Sequence, residues 1–207
     1  MSQDYFAHKA STFDQSSPRV QNVDNIAQAI RQHITLDPTM KLLDFGSGTG
    51  LLLERLAPHV HAITAIDVSP SMNSELGKKL DTHGKLHGCA VTIIEKDLVN
   101  DKVHFDHTFD GIISSMTLHH VKDINALFAQ FSQLLNQGGF IALADLATED
   151  GSFHSEDTGV FHHGFEPSFL VETATAMGFG EVSCEVVSHI QRPNHTYEIL
   201  LLTAKKL

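Results

Sequence analysis

A chain of 207 residues, 42% of them hydrophobic, can bury one sizeable core and leaves no room for a second, so a single domain over residues 1–207 is expected. Its 25 Asp and Glu against 14 Lys and Arg give a formal charge of −11, which repels phosphates and argues against a nucleic-acid partner. No apolar run approaches the roughly 18 residues of a membrane-spanning helix, residues 1–9 lack a basic start followed by an apolar stretch, and Cys89 and Cys184 stand outside any CxxC frame; the expectation is a cytoplasmic chain with reduced thiols and no membrane insertion.

In chain order, Tyr5-Phe6 and Phe13-Asp14 precede a helical stripe of Val23, Ile26, Ala27, Ile30 and Ile34 that stops at Asp37-Pro38. Leu42, Leu43 and Phe45 then form a short strand that runs into Gly46, Gly48 and Gly50, and Leu51, Leu52, Leu53 and Leu56 open a helix. Missing Cβ atoms let such a backbone turn sharply and approach a ligand, while the helix start offers free N–H groups, so this reads as a nucleotide-binding turn. A dinucleotide fingerprint spaces its glycines GxGxxG; here they fall at alternate positions and Asp44 precedes the first. A second strand, His61 to Asp67, ends in a carboxylate 17 residues after Gly50, where such folds bind adjacent ribose hydroxyls. Ser69 suits the N-cap of the helix that follows and Pro70 its first position.

A third strand is predicted over Val91 to Asp97, with Leu98 next, and a fourth begins at Phe109 and ends near His119-His120. Ile124, Leu127, Phe128, Phe131, Leu134 and Leu135 make a core helix capped by Asp123 and closed by Gly138. After a fifth strand, Asp145 to His154 and Phe161-His-His-Gly-Phe165 are irregular, the kind of loop that lines substrate pockets at the carboxyl ends of strands. Phe169, Leu170, Thr173, Ala174 and Met177 form a last helix between Pro167 and Gly178, and strands over 181–190 and 196–204 flank Gln-Arg-Pro-Asn-His. Strands alternating with helices point to a doubly wound α/β sheet.

The D-x-G-x-G-x-G pattern of Asp44 to Gly50 resembles motif I of the class I S-adenosylmethionine (SAM)-dependent methyltransferases. Phe109 to His120 looks like motif IV of their small-molecule group, which includes the ubiquinone and menaquinone C-methyltransferases, and Leu134 to Phe140 looks like the turn into that family's fifth strand, with Asn136-Gln137 where a proline is usual. The resemblance runs from about Tyr5 to Lys205. It implies a Rossmann-like, seven-stranded, mostly parallel sheet closed by an antiparallel hairpin, with SAM as cofactor and a small-molecule substrate. It further implies cofactor contacts from Asp44, Gly46, Ser47, Gly48, Gly50, Asp67, Val68, Met72, Asp97, Leu98 and Ser114, with Asp97 holding the adenine amino group and Leu98 beside the ring. Residues 1–21 are then a candidate lid, Phe6 and Phe13 covering the methionine end of SAM; the alternative is that these rings only pack the segment onto the domain.

The chemistry implied is an in-line displacement at the sulfonium methyl, for which alignment and exclusion of water suffice unless the nucleophile carries a proton. Ser114-Ser115-Met116 stands where amino-methylating DNA and protein enzymes carry [DN]PP[YF], and the Pro-Cys of cytosine C5 enzymes is missing, which favours small acceptors. Of 15 histidines, His119, His120, His154, His162 and His163 are expected to face one acceptor pocket, with His119 or His120 as base and His154, His162 and His163 contacting substrate. A local loop-fixing role for His119-His120 stays open. A metal site is not expected, since adjacent helical residues point about 100 degrees apart and no HxxxH frame occurs. Two other readings stand beside the enzyme: a non-catalytic SAM-binding regulatory module, and an NAD oxidoreductase, which the glycine spacing disfavours along with a Tyr5-x-x-x-Lys9 pair that lies upstream of the nucleotide turn.

Overall fold

A computed structural model describes residues 4–101, 103–154, 156 and 158–207. Eight strands form one sheet: β1 Lys41–Phe45, β2 Ala62–Asp67, β3 Lys85–Leu86, β4 Cys89–Glu95, β5 Phe109–Ser115, β6 Leu135–Leu146, β7 Phe179–Arg192 and β8 His195–Lys206, in the order β3-β4-β2-β1-β5-β6-β8-β7. The pairs β2·β4, β1·β2, β1·β5 and β5·β6 are parallel, whereas β8 runs antiparallel to both β6 and β7. From β1 the chain winds outward through β2 and β4, then returns to place β5 on the other side of β1. This reversal opens a crevice at the carboxyl ends of β1 and β5, the place where open α/β sheets bind ligands.

Among the described residues five α-helices accompany the sheet: α1 Ser17–His33, α2 Leu51–Leu56, α3 Pro70–Lys79, α4 Ile124–Leu134 and α5 Pro167–Ala176. Alternation along the strands decides which face each residue joins. Leu42, Ile63, Ile113 and Ala142 pack with α1, α2 and Leu76 of α3, while Leu43, Ile66, Ile112 and Ile141 pack with Leu127, Phe128 and Phe131 of α4 and Leu170 of α5. The Ser69 hydroxyl accepts from the Met72 N–H and Asp123 from the Ala126 N–H, caps worth about 1 kcal/mol each.

Four expectations shift. The strand expected to end at Asp97 spans Cys89–Glu95, so Asp97 lies in the turn beyond it. The short β3 joins it through His87 and Gly88, both at positive φ (51° and 88°), a two-residue hairpin that adds an eighth strand to the seven. Leu135 leaves the α4 stripe and pairs with Phe109 as the first residue of β6. The closing hairpin is longer than predicted, because its turn tightens to Pro193-Asn194 and Arg192 faces His195 across the ladder.

Candidate active site

The Gly46–Gly50 turn leaves β1 with all three glycines at positive φ, 67°, 54° and 81°. A Cβ at Gly46 would strike the Thr117 side chain at 2.1 Å and one at Gly50 the Leu76 side chain at 2.5 Å, whereas one at Gly48 meets nothing within 4 Å. Gly46 and Gly50 are therefore packing positions, and Gly48 faces the crevice. Asp67, the last residue of β2, ties the turn down: its carboxylate accepts from the Gly48 N–H and the Ser69 N–H, each at 2.8 Å. Burial raises the Asp67 pKa, with the charge of Asp4 adding to it, despite these hydrogen bonds. Asp44, 1% exposed, has a carboxylate oxygen without a partner, and burial beside the Asp67 charge pushes its pKa up to about 8. The Ser47 hydroxyl is likewise buried and unpartnered.

The remaining nucleotide-side residues are mixed. Val68 is half exposed and Met72 is buried in α3. Asp97 accepts from the Val99 and Asn100 N–H groups and from the Asn100 side chain, so it braces its own turn, and Leu98 is buried in the core around α4. The Ser114 hydroxyl donates to the Phe45 carbonyl at 2.7 Å, fully buried between β5 and β1.

Across the crevice, Met116 takes a left-handed φ of 59° and Thr117 bonds the Gly46 carbonyl, which aims the turn Leu118–His120 at the site. His119 is 1% exposed, and its Nδ1 donates to Asp145 Oδ1 at 2.6 Å. Burial alone would raise the Asp145 carboxyl; the charge and hydrogen bonds of His119, with the Leu146 N–H, outweigh it and hold the pKa below its ordinary value. A carboxylate only accepts, so a proton sits on Nδ1, while Nε2 is buried and has no partner. The His120 and His154 rings lie 4.2 and 5.0 Å from the His119 ring, and His154 Nε2 is also buried and unpartnered. Burial, reinforced by the neighbouring His119, lowers both pKa values to about 4, so these two imidazoles are neutral at pH 7.

Of the five histidines, the fold gathers His119, His120 and His154. His162 does not join them, because its Nε2 bonds the Val121 carbonyl, and exposed His163 lies against Gly151. Among the described residues no group of three or more His, Cys, Asp or Glu side chains could hold a metal ion. Asp145 was missed by sequence reasoning: only the β5–β6 pairing, with Ser115 beside Ala144, brings it to His119.

Residues 4–15 lie over this crevice. Asp4 accepts from the hydroxyls of Ser69 and Ser71 and from the Ser71 N–H at the start of α3. Phe6 meets His120 edge-on at 5.7 Å, and Asp14 accepts from the Thr49 hydroxyl and pairs with Lys79, both at 2.6 Å. Phe13 packs on the core beneath α1.

A family described as "Methyltransferase domain" matches residues 19–196. An uncharacterised methyltransferase of Schizosaccharomyces pombe is 34% identical over 143 residues, 64% of this chain and 50% of that protein; the chain thus spans about half of this relative. Among solved structures, a chain from the complex of the Haloferax volcanii Trm112 methyltransferase activator superposes with a TM-score of 0.77 at 15% identity over 99% of each chain. DhpI in complex with S-adenosylhomocysteine gives 0.71 at 22% identity over 98% of this chain and 93% of its own. At these identities the structures bear on the fold, and the fold is the doubly wound one described above. With most of its length matched, the chain belongs to the methyltransferase domain family.

Proposed function

We propose that the protein transfers the sulfonium methyl of SAM to a small-molecule acceptor whose nucleophilic atom gives its proton to His119. The observation that carries this reading is the buried Asp145–His119 pair with an unpartnered Nε2, beside two neutral imidazoles. Such an arrangement is a base whose tautomer is fixed and whose charged form has a counter-ion waiting.

The nucleotide side fits the family's cofactor. Asp67 keeps lone pairs for two hydroxyls beyond the N–H groups it already accepts, the open face of Gly48 allows close approach, and the orphaned Asp44 oxygen suits an ammonium. Val68, Met72, Asp97 and Leu98 are the candidate adenine neighbours. When bound, SAM supplies an activated methyl group. This chain's residues do the rest: Asp44 and Asp67 orient the donor, Phe6 covers His120 against water, and His119 Nε2 takes the acceptor's proton as the new bond to methyl forms. The resulting imidazolium would be paired with Asp145, with S-adenosylhomocysteine as the leaving group.

The test is incubation with methyl-labelled SAM and fractionated metabolites. Label is expected in a small product, and His119→Gln should slow its formation about a hundredfold while S-adenosylhomocysteine affinity stays near wild type. Label appearing only in protein or nucleic acid overturns the small-acceptor reading, and tight cofactor binding with no transfer to any fraction supports the regulatory-module alternative.

A further inference from the structure

The acceptor side of the site carries a feature out of keeping with a chain of charge −11. Helix α1 packs antiparallel on β7: His33 reaches Glu185 at 2.6 Å near the helix end, and Asn25 bonds Ser188 at 3.1 Å midway. The same register brings the start of α1 to the carboxyl end of β7, and so Arg19 towards Arg192. Each is laid on an aromatic ring, the Arg19 guanidinium 3.7 Å from the Phe13 centroid and that of Arg192 5.5 Å from Phe153. Lys9 does the same on Phe6, at 4.9 Å. Two of these rings touch the histidine cluster, Phe6 on His120 at 5.7 Å and Phe153 on His154 at 4.9 Å. Three cations therefore stand on aromatic rings, two of which border the histidine cluster around His119.

Among the described residues none of the three has an ion-pair partner within 4 Å. The carboxylates nearby are engaged elsewhere: Asp14 with Lys79 and Thr49, Glu156 with His8 at 3.3 Å, and Glu149 with the Phe153 N–H at 3.0 Å. Burial lowers the Arg19 pKa and the Arg192 charge adds to the effect, with Asp14 opposing; burial lowers that of Lys9 too, with Glu156 opposing and Arg19 adding. Like charges held together over apolar rings repel one another unless an anion sits among them, and a guanidinium presents a fork that carboxylate and phosphate fit, even with Nη1 of Arg19 donating to the Phe13 carbonyl at 2.6 Å.

We propose that Arg19 and Arg192, assisted by Lys9, bind an anionic group of the acceptor, which is an acidic small molecule, carboxylate or phosphate, with an apolar body lying against Phe6 and Phe153. This rests on the methyl-transfer reading of the same pocket. The rings hold the body, the cations hold the acidic end, and the atom to be methylated points down to His119.

Calorimetry on the protein saturated with S-adenosylhomocysteine tests it, with benzoate and phenyl phosphate as probes and benzamide as their neutral match. Both anions, or one of them, should bind at least about tenfold tighter than benzamide, and Arg19→Gln and Arg192→Gln should each weaken that anion about fivefold or more, leaving benzamide unchanged. Which anion loses more on substitution tells phosphate from carboxylate. Equal binding of charged and neutral probes, indifference of the anions to both substitutions, or no anion binding by a protein that binds S-adenosylhomocysteine each overturns the proposal. A fall in S-adenosylhomocysteine affinity in Arg19→Gln assigns that guanidinium to the cofactor and overturns its role here. If the wild type does not bind S-adenosylhomocysteine, the cofactor reading fails on its own, and the same titration of the unliganded protein still decides whether the cations take an anion.

Discussion

Asp67 serves two purposes with one carboxylate. It pins the Gly48 and Ser69 N–H groups, so the glycine turn and the start of α3 are fixed to the end of β2, and its remaining lone pairs are directed where a ribose diol is proposed to lie. Losing a charge-assisted acceptor typically costs 1.5 to 3 kcal/mol, so Asp67→Ala should raise the S-adenosylhomocysteine dissociation constant at least about tenfold in calorimetry. Asp67→Asn, which keeps the size and one acceptor oxygen, should fall between. Affinity unchanged in a folded Asp67→Ala protein refutes the assignment.

The element that joins the two halves of the site is the segment from Asp4 to Gln15. Its contacts are few and polar at Asp4 and Asp14 and aromatic at Phe6, a low-stability pattern compared with α1 behind it, whose Ile26 and Ile30 are fully buried. We propose that it is a lid over bound donor. Amide exchange at Phe6, Lys9 and Ala10 should slow several-fold on adding S-adenosylhomocysteine, while that of Ile26 stays the same; equal protection of the segment in both states leaves only the packing role. Elements of this kind mark the limit of what the sequence discloses. The glycine turn, Asp67, the α1 stripe and the Asp123 cap were legible because each is a local pattern whose period or cap residue acts within one turn. The Asp145–His119 pair was not, since the two are 26 positions apart and meet only through strand register, and the same holds for Asp4 on α3 and for Arg19 near Arg192. His162 and His163 read like His119 and His120 in sequence, yet the pairing of Ala147 with Phe165 fixes their loop so that one bonds Val121 and the other faces solvent.

At the scale of the whole molecule, the site stores opposing proton linkages. His120 and His154, with folded pKa values near 4, disfavour protons that the unfolded chain takes up below about 6.5, so their contribution to stability is intact above that pH and is lost as pH falls towards 4. Asp44 acts the other way: raised from 3.8 to about 8, it keeps its proton in the fold where the unfolded chain would give it up, so its contribution is full at low pH and is lost as pH rises towards 8, and Asp67 leans in the same direction. Between pH 6.5 and 8 the linkage of His120 and His154 is spent, while that of Asp44 still acts. A ligand ammonium placed on Asp44 needs the carboxylate, so binding in that window must expel a proton. S-adenosylhomocysteine affinity should therefore rise roughly tenfold from pH 6.5 to 8, with about one proton released per site near pH 7, read by calorimetry in buffers of different ionisation enthalpy. Asp44→Asn should bind more weakly, with a flat pH profile and no proton release. A wild-type affinity that does not change across this window would mean that the buried carboxylate of Asp44 does not meet the ammonium, and its unpartnered oxygen would need another occupant.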